Sequence, residues 1–308
     1  MIRAIPLSIV AAVGLAGSAH GYVRSRTDRN VPVYWPSGCL WIQPDAAGSI
    51  DLPITTVVDV VKRSVANWQN LTGACSYFKM QVDESAARET VVDRINIVKF
   101  RRPTAKWCRP AEGKNPEVCY AAQAAAITTV FYTSAPGKPT DGAIVDADIQ
   151  MNEINYTFVV LPQGGAVRDN TSRADLENTL THELGHLQGL DHTCWDHITP
   201  APPPDHTDKP VPACEDLKDP GKVSPEQASK IINATMYNFA LPGETGKRSP
   251  EEDDVAGICG VYPTAKDPKA CERPDEPKGC AVGGRGGGGW LFGALLLGIA
   301  LRRRRRRS

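Results

Sequence analysis

The stretch His182-Glu183-Leu184-Gly185-His186-Leu187-Gln188-Gly189-Leu190-Asp191-His192 decides how the rest of the chain is read. Residues four apart share one face of a helix, so His182 and His186 present two imidazoles to one metal ion. Glu183 stands beside the first ligand, where a carboxylate can reach a water without ligating the metal. Ten more residues of straight helix would carry His192 about 15 Å along the axis. A zinc–nitrogen bond is only about 2.0–2.1 Å long, so the helix must break and fold back. Gly189 allows this, because glycine enters the left-handed conformation without steric cost and commonly ends helices there.

A surface helix that merely contains histidine is the competing reading. The chain has six histidines, and three of them fall at these fixed offsets. Five fixed residue types at such spacing arise by chance on the order of 10⁻⁵ in a chain of ordinary composition. A zinc site at His182, His186 and His192, with Glu183 as base, is therefore expected.

The pattern H-E-x-x-H-x-x-G-x-x-H resembles the long motif of the metzincin clan of zinc peptidases. Their Met-turn has a counterpart in Ala234-Thr235-Met236-Tyr237. The resemblance implies that Met236 packs beneath the three histidines without binding metal. Some members carry a tyrosine ligand two residues after that methionine; Asn238 stands there, so no further protein ligand is expected. Tyr237, the run Asp253-Asp254-Val255-Ala256-Gly257-Ile258, and Val261-Tyr262 resemble the matrixin branch. The implied fold is α+β: a mixed, mostly parallel five-stranded twisted sheet with an active-site helix, a Met-turn and a C-terminal helix.

From its start, the chain reads as exported. Arg3, an apolar run over 5–15 and Ala19-His20-Gly21 form a secretory signal over 1–21. The run is too short for a membrane span. Nine cysteines suit an oxidising compartment. Eight of the 35 basic residues lie in the signal or beyond Cys280, leaving 27 against 35 acidic ones and a net charge of −8 over 22–280. Nothing in that balance suggests nucleic acid, and 22–262 is expected to form one catalytic domain and to act as a monomer.

Strands are expected over 31–42, 77–82, 95–100, 124–133 and 143–151, with a helix over 54–71 whose Val57, Val61, Val65, Trp68 and Leu71 make one buried stripe. The second helix, carrying the histidines, is expected to begin near Ser172. By resemblance, 124–133 is the sheet edge above the cleft, where an extended protein or peptide substrate adds as a further strand. Asp141, Asp146 and Asp148 would, again by resemblance, help bind a structural calcium; the alternative is solvated carboxylates on an exposed strand face.

Two features depart from the matrixin pattern. An insertion over 193–232, with Pro-rich 199–212, Cys194, Cys214, His197 and His206, lengthens the path from His192 to the Met-turn. Its histidines are read as solvated. No cysteine-bearing propeptide motif precedes the domain, and Cys39 is read as structural. Proximity pairs Cys108 with Cys119 and Cys194 with Cys214, leaving Cys39, Cys75, Cys259 and Cys271 to pair among themselves.

Residues 263–279 read as a linker. Gly279-Cys280, a glycine-rich stretch, an apolar run over 290–301 and six terminal arginines resemble MYXO-CTERM bacterial sorting signals. The resemblance implies processing near Cys280 after transient membrane contact, and retention at the cell surface. The run would span about 18 Å against roughly 30 Å of hydrocarbon, which is short for the alternative, a lasting anchor. A secreted or surface-held zinc endopeptidase is the expected function. A non-catalytic adhesin on the same scaffold is the alternative; loss of Glu183 or a histidine would mark it, and neither is lost.

Overall fold

In strand β1 (Cys39–Pro44) and the elements that follow it, apolar spacing alternates between the two periods expected of an α+β chain. The others are α1 (Ile54–Thr72), β2 (Lys79–Val82), β3 (Asn96–Arg101), β4 (Ala126–Tyr132), β5 (Ile144–Asn152), α2 (Leu176–Leu187), α3 (Pro225–Asn233) and α4 (Glu252–Val261). The computed structural model describes residues 21–162 and 172–271. Residues 1–20 of the expected signal, the sorting tail, and 272–279 of the linker lie outside the described residues. Among the described residues no helix is long and apolar enough to cross a membrane.

The five strands form one mixed sheet in the order β2-β1-β3-β5-β4. Pairs β1–β2, β1–β3 and β3–β5 are parallel, while β4 runs antiparallel to β5 at the edge. Parallel neighbours need a crossover, and α1 supplies the one between β1 and β2. The first strand is shorter than the expected 31–42. Pro32 and Pro36 lack the N–H that a ladder needs, so 31–38 makes only isolated bridges such as Tyr34 with Ala143.

Helix α1 buries Val57, Val61, Val65 and Trp68 as expected, but Leu71 is 44% exposed and Thr72 takes its place. Thr72 stands four residues after Trp68 and so on the same face, where its hydroxyl donates to the Trp68 carbonyl at 2.9 Å. Trp68 is fully buried and its Nε1 donates to the Thr181 carbonyl at 2.8 Å, which fixes α1 against α2.

Strand β5 corrects a sequence expectation. Its polar face is not solvated: Asp146, Asp148, Gln150 and Asn152 are all 0% exposed. Segments on either side of β3 and before β4 cover that face. Arg101 donates to Gln150 at 2.7 Å, and Gln150 to the Tyr120 hydroxyl at 2.9 Å. Asn152 donates to the Ala124 carbonyl at 2.8 Å.

Helix α2 starts at Leu176, later than Ser172. Asp175 is its N-cap, with Oδ1 accepting from the Asn178 amide at 2.9 Å, so the first free N–H groups are satisfied at that point. Residues Arg173–Asp175 instead pair parallel with Thr157–Val159. At the other end the buried carbonyls need donors. Trp35 Nε1 donates to Leu187 O at 2.7 Å and the Tyr262 hydroxyl to Gln188 O at 2.7 Å. Gly189 follows at φ +96°, a conformation that the reversal requires of it.

The 193–232 insertion is ordered around its own small core of Cys194, Leu217, Val223 and Ala228, and it contributes α3, which periodicity did not reveal. Four disulfides join Cys39–Cys271, Cys75–Cys259, Cys108–Cys119 and Cys194–Cys214. The two pairs expected from proximity are present. The stretch read as a linker is held at its start, because Cys271 is bonded to β1 and Gly38 donates its amide to Ala270 O.

Candidate metal centre

Helix α2 and the reversal at Gly189 bring the three histidines together. His186 Nε2 lies 3.1 Å from His182 Nε2 and 3.1 Å from His192 Nε2, and one ring nitrogen of each lies within 4.8 Å of the others. The outward nitrogens all have acceptors. His182 Nδ1 is 2.6 Å from Thr235 O, His186 Nδ1 is 2.9 Å from Leu190 O, and His192 Nδ1 is 2.7 Å from Asp196 Oδ2. Such acceptors fix the proton on Nδ1 and leave a lone pair on each Nε2. Three converging lone pairs at this separation repel one another unless they share a cation. Tetrahedral zinc with bonds of about 2.05 Å would set its nitrogens about 3.3 Å apart, close to the observed spacing.

Electrostatics agrees with that use. Burial first, then the His186 and His192 rings, hold His182 well below the usual imidazole range. Burial, then His192, pushes His186 down to about 3. Neutral imidazoles are the form that binds a metal. Glu183, 4% exposed, is pushed up to about 7 by burial against the opposing hydrogen bond from Thr128. The Thr128 hydroxyl on β4 donates to Glu183 Oε2 at 2.7 Å.

Met236 is 1% exposed and packs on Gly185, the residue just before His186. Its turn is anchored by Asp254 of α4. The Thr235 amide donates to Asp254 Oδ2 at 2.7 Å and the Met236 amide to Oδ1 at 3.1 Å. Thr128, Asp196 and the anchoring role of Asp254 were not picked out from the sequence. Asp196 follows His192 by four residues, but no helix connects them, so spacing alone gave no signal.

His197 and His206 lie away from the three histidines. His197 is 2.8 Å from Glu215, and His206 stacks on Tyr22 with centroids 4.7 Å apart.

A second group of polar atoms lacks well-placed partners. Asp148 Oδ2 and both oxygens of Asp146 have no hydrogen bond of good geometry, the Arg94 and Ile95 amides approaching Asp146 only loosely; Asp148 Oδ1 accepts from the Ile97 amide at 3.1 Å. Residues two apart on a strand share a face. Burial, then the nearby Asp93 charge, pushes Asp146 up to about 8, and burial, then Asp146, pushes Asp148 up to about 9. Buried, unpaired carboxylates are costly unless protonated or paired with a cation, and oxygen donors suit calcium. Asp141 stands apart from them, in a 2.7 Å salt bridge with Arg29.

A scan against models of known protein families matches none of them to this chain, and a search of curated proteins finds no relative.

Proposed function

We propose that this chain is an exported zinc endopeptidase of the metzincin clan, nearest the matrixin branch, that cleaves extended polypeptides. The observation that carries the reading is the convergence of three Nε2 atoms whose Nδ1 partners are all fixed, with Glu183 adjacent. Met236 against Gly185, the Gly189 reversal and the mixed five-stranded sheet add support.

When bound to His182, His186 and His192, zinc supplies Lewis acidity toward a water and toward the substrate carbonyl. Glu183 does the proton work. Its Oε2 is held by Thr128, so Oε1 takes the proton from the attacking water and later delivers it to the departing amine. The three histidines stay neutral and fixed throughout. Strand β4 is the sheet edge and carries Thr128, so its unpaired backbone groups pass beside the base and can align an extended substrate by strand addition.

The same reading assigns Asp146 and Asp148 to a structural calcium. It also takes the sorting tail to be removed near Cys280 from the mature, surface-held protein, which intact-mass analysis would check: retained Arg302 to Arg307 would make the tail an anchor.

Zinc content and peptide cleavage measured together on the mature protein test the function. Glu183→Ala is expected to retain zinc and lose turnover by about 10²-fold or more, and His192→Ala to lose zinc. A wild type that holds zinc without cleaving any peptide would favour the adhesin; a substantially active Glu183→Ala enzyme would remove Glu183 as base.

A further inference from the structure

We propose that the 193–232 insertion is a clamp on the metal centre, with Asp196 as the positioning residue for His192. The proposal rests on the zinc reading and adds to it a reason for the insertion.

The three histidines are not supported alike. His182 and His186 lean on backbone carbonyls, Thr235 O and Leu190 O. They also belong to one helix that is packed on both sides, so their rings have little freedom. His192 lies beyond the break at Gly189, outside any helix, and its Nδ1 acceptor is a side chain, Asp196 Oδ2 at 2.7 Å. A carboxylate that accepts from Nδ1–H locks the ring and makes Nε2 a stronger ligand. Asp196 can do this only if its own place is fixed.

The insertion fixes it. Cys194 and Cys214 are disulfide-bonded. Between them the Trp195 amide donates to Pro212 O at 2.9 Å, and the Cys214 amide to Trp195 O at 3.0 Å. Asp196 Oδ1 accepts from the Ile198 amide at 3.1 Å, which leaves Oδ2 for His192. Behind this turn, Cys194 packs with Leu217, Val223 and Ala228. Thr193 closes the loop by donating its amide to Met236 O at 3.1 Å. A rigid platform therefore begins one residue after the third ligand and holds the carboxylate against it.

The test measures zinc affinity of the mature protein by competition with a chromophoric chelator, alongside thermal melting of the zinc-free form. Asp196→Asn is isosteric, and it is expected to weaken zinc binding about 10–100-fold while leaving the zinc-free melting temperature unchanged. Asp196→Ala is expected to weaken it at least as much. Removing the bridge with Cys194→Ala and Cys214→Ala should weaken zinc binding too, and adding Asp196→Asn should then weaken it little further, because both act on one contact. Wild-type affinity in Asp196→Asn would overturn the proposal, as would full additivity with the bridge removal. If wild type itself binds no zinc, the zinc reading fails and the clamp falls with it. That outcome is distinct from a tight wild type matched by Asp196→Asn, which sinks the clamp alone.

Discussion

A Cβ placed on Gly185 would stand 2.2 Å from Sδ of Met236 and 3.1 Å from Trp68. Helix α2 and the turn at Met236 are therefore in contact where glycine alone fits. Alanine would gain up to about 1 kcal/mol of helix propensity, but overpacking a filled core costs about 1–3 kcal/mol. The clash should win. Gly185→Ala is expected to lower the melting temperature, and Met236→Ala, which opens space, should make the second substitution less harmful than it is alone. A double-mutant cycle on thermal melts checks this; strict additivity would mean the two residues do not press on each other.

Much of this arrangement was legible in the sequence. His182, His186 and Gly189 are fixed by helix geometry, and the need to bring His192 back forces the turn between them. The contacts that complete the site come from distant segments. Thr128 lies on the edge strand and Asp254 on the last helix, and one sequence shows no register between them and α2. The buried face of β5 was missed because alternation reveals only that a strand has two faces, while loops that cover the second face leave no periodic trace. The ordered insertion was hidden by its prolines, which read as loop although hydrogen bonds from Trp195, Val211 and Cys214 hold it.

Asp254 sets the height of the Met-turn. It is 1% exposed and accepts from the amides of Thr235, Met236 and Glu251. Asn at this position would turn one acceptor into a donor facing N–H groups. Losing a hydrogen bond to a charged group costs about 1.5–3 kcal/mol, and Asp254→Asn is expected to destabilise by about that much. Since Thr235 O also supports His182, zinc affinity should fall with it. A variant as stable as wild type in denaturant unfolding would show that Asp254 does not carry the turn.

Asp146 and Asp148 link stability to pH and, if they hold the proposed ion, to calcium. With no cation bound, burial raises both to about 8 and about 9, far above the ordinary range near 3.9. Below about pH 4 both states are protonated. As pH rises beyond that, the unfolded chain ionises while the folded one does not, so stability falls until the folded values are passed. A calcium ion on the ionised pair opposes that loss. With zinc held constant, the rise in melting temperature on adding calcium should therefore be larger at pH 8 than at pH 5. Replacing both residues by asparagine should remove the calcium effect and flatten the pH dependence. A calcium effect undiminished in that variant would place the ion elsewhere.

The two long-range disulfides are nested, and this makes their removal predictable. Cys39–Cys271 and Cys75–Cys259 have sequence separations of 232 and 184 residues, a difference of 48. With one bridge intact, forming the other closes a ring of that size whichever comes second. A ring of this length contributes about 4 kcal/mol by loop entropy. Removing either pair by alanine substitution should thus cost a similar amount, and removing both about 9 kcal/mol, slightly more than twice that, because the last bridge lost closes a loop of 184 or 232 residues and contributes about 5 kcal/mol. Oxidative folding of each variant, followed by thermal melts and by mass-spectrometric mapping of the remaining bridges, checks this. No free thiols are expected among the eight cysteines before Cys280 in wild type. If one pair proved dispensable while the other abolished folding, loop entropy would not be what the nested bridges supply.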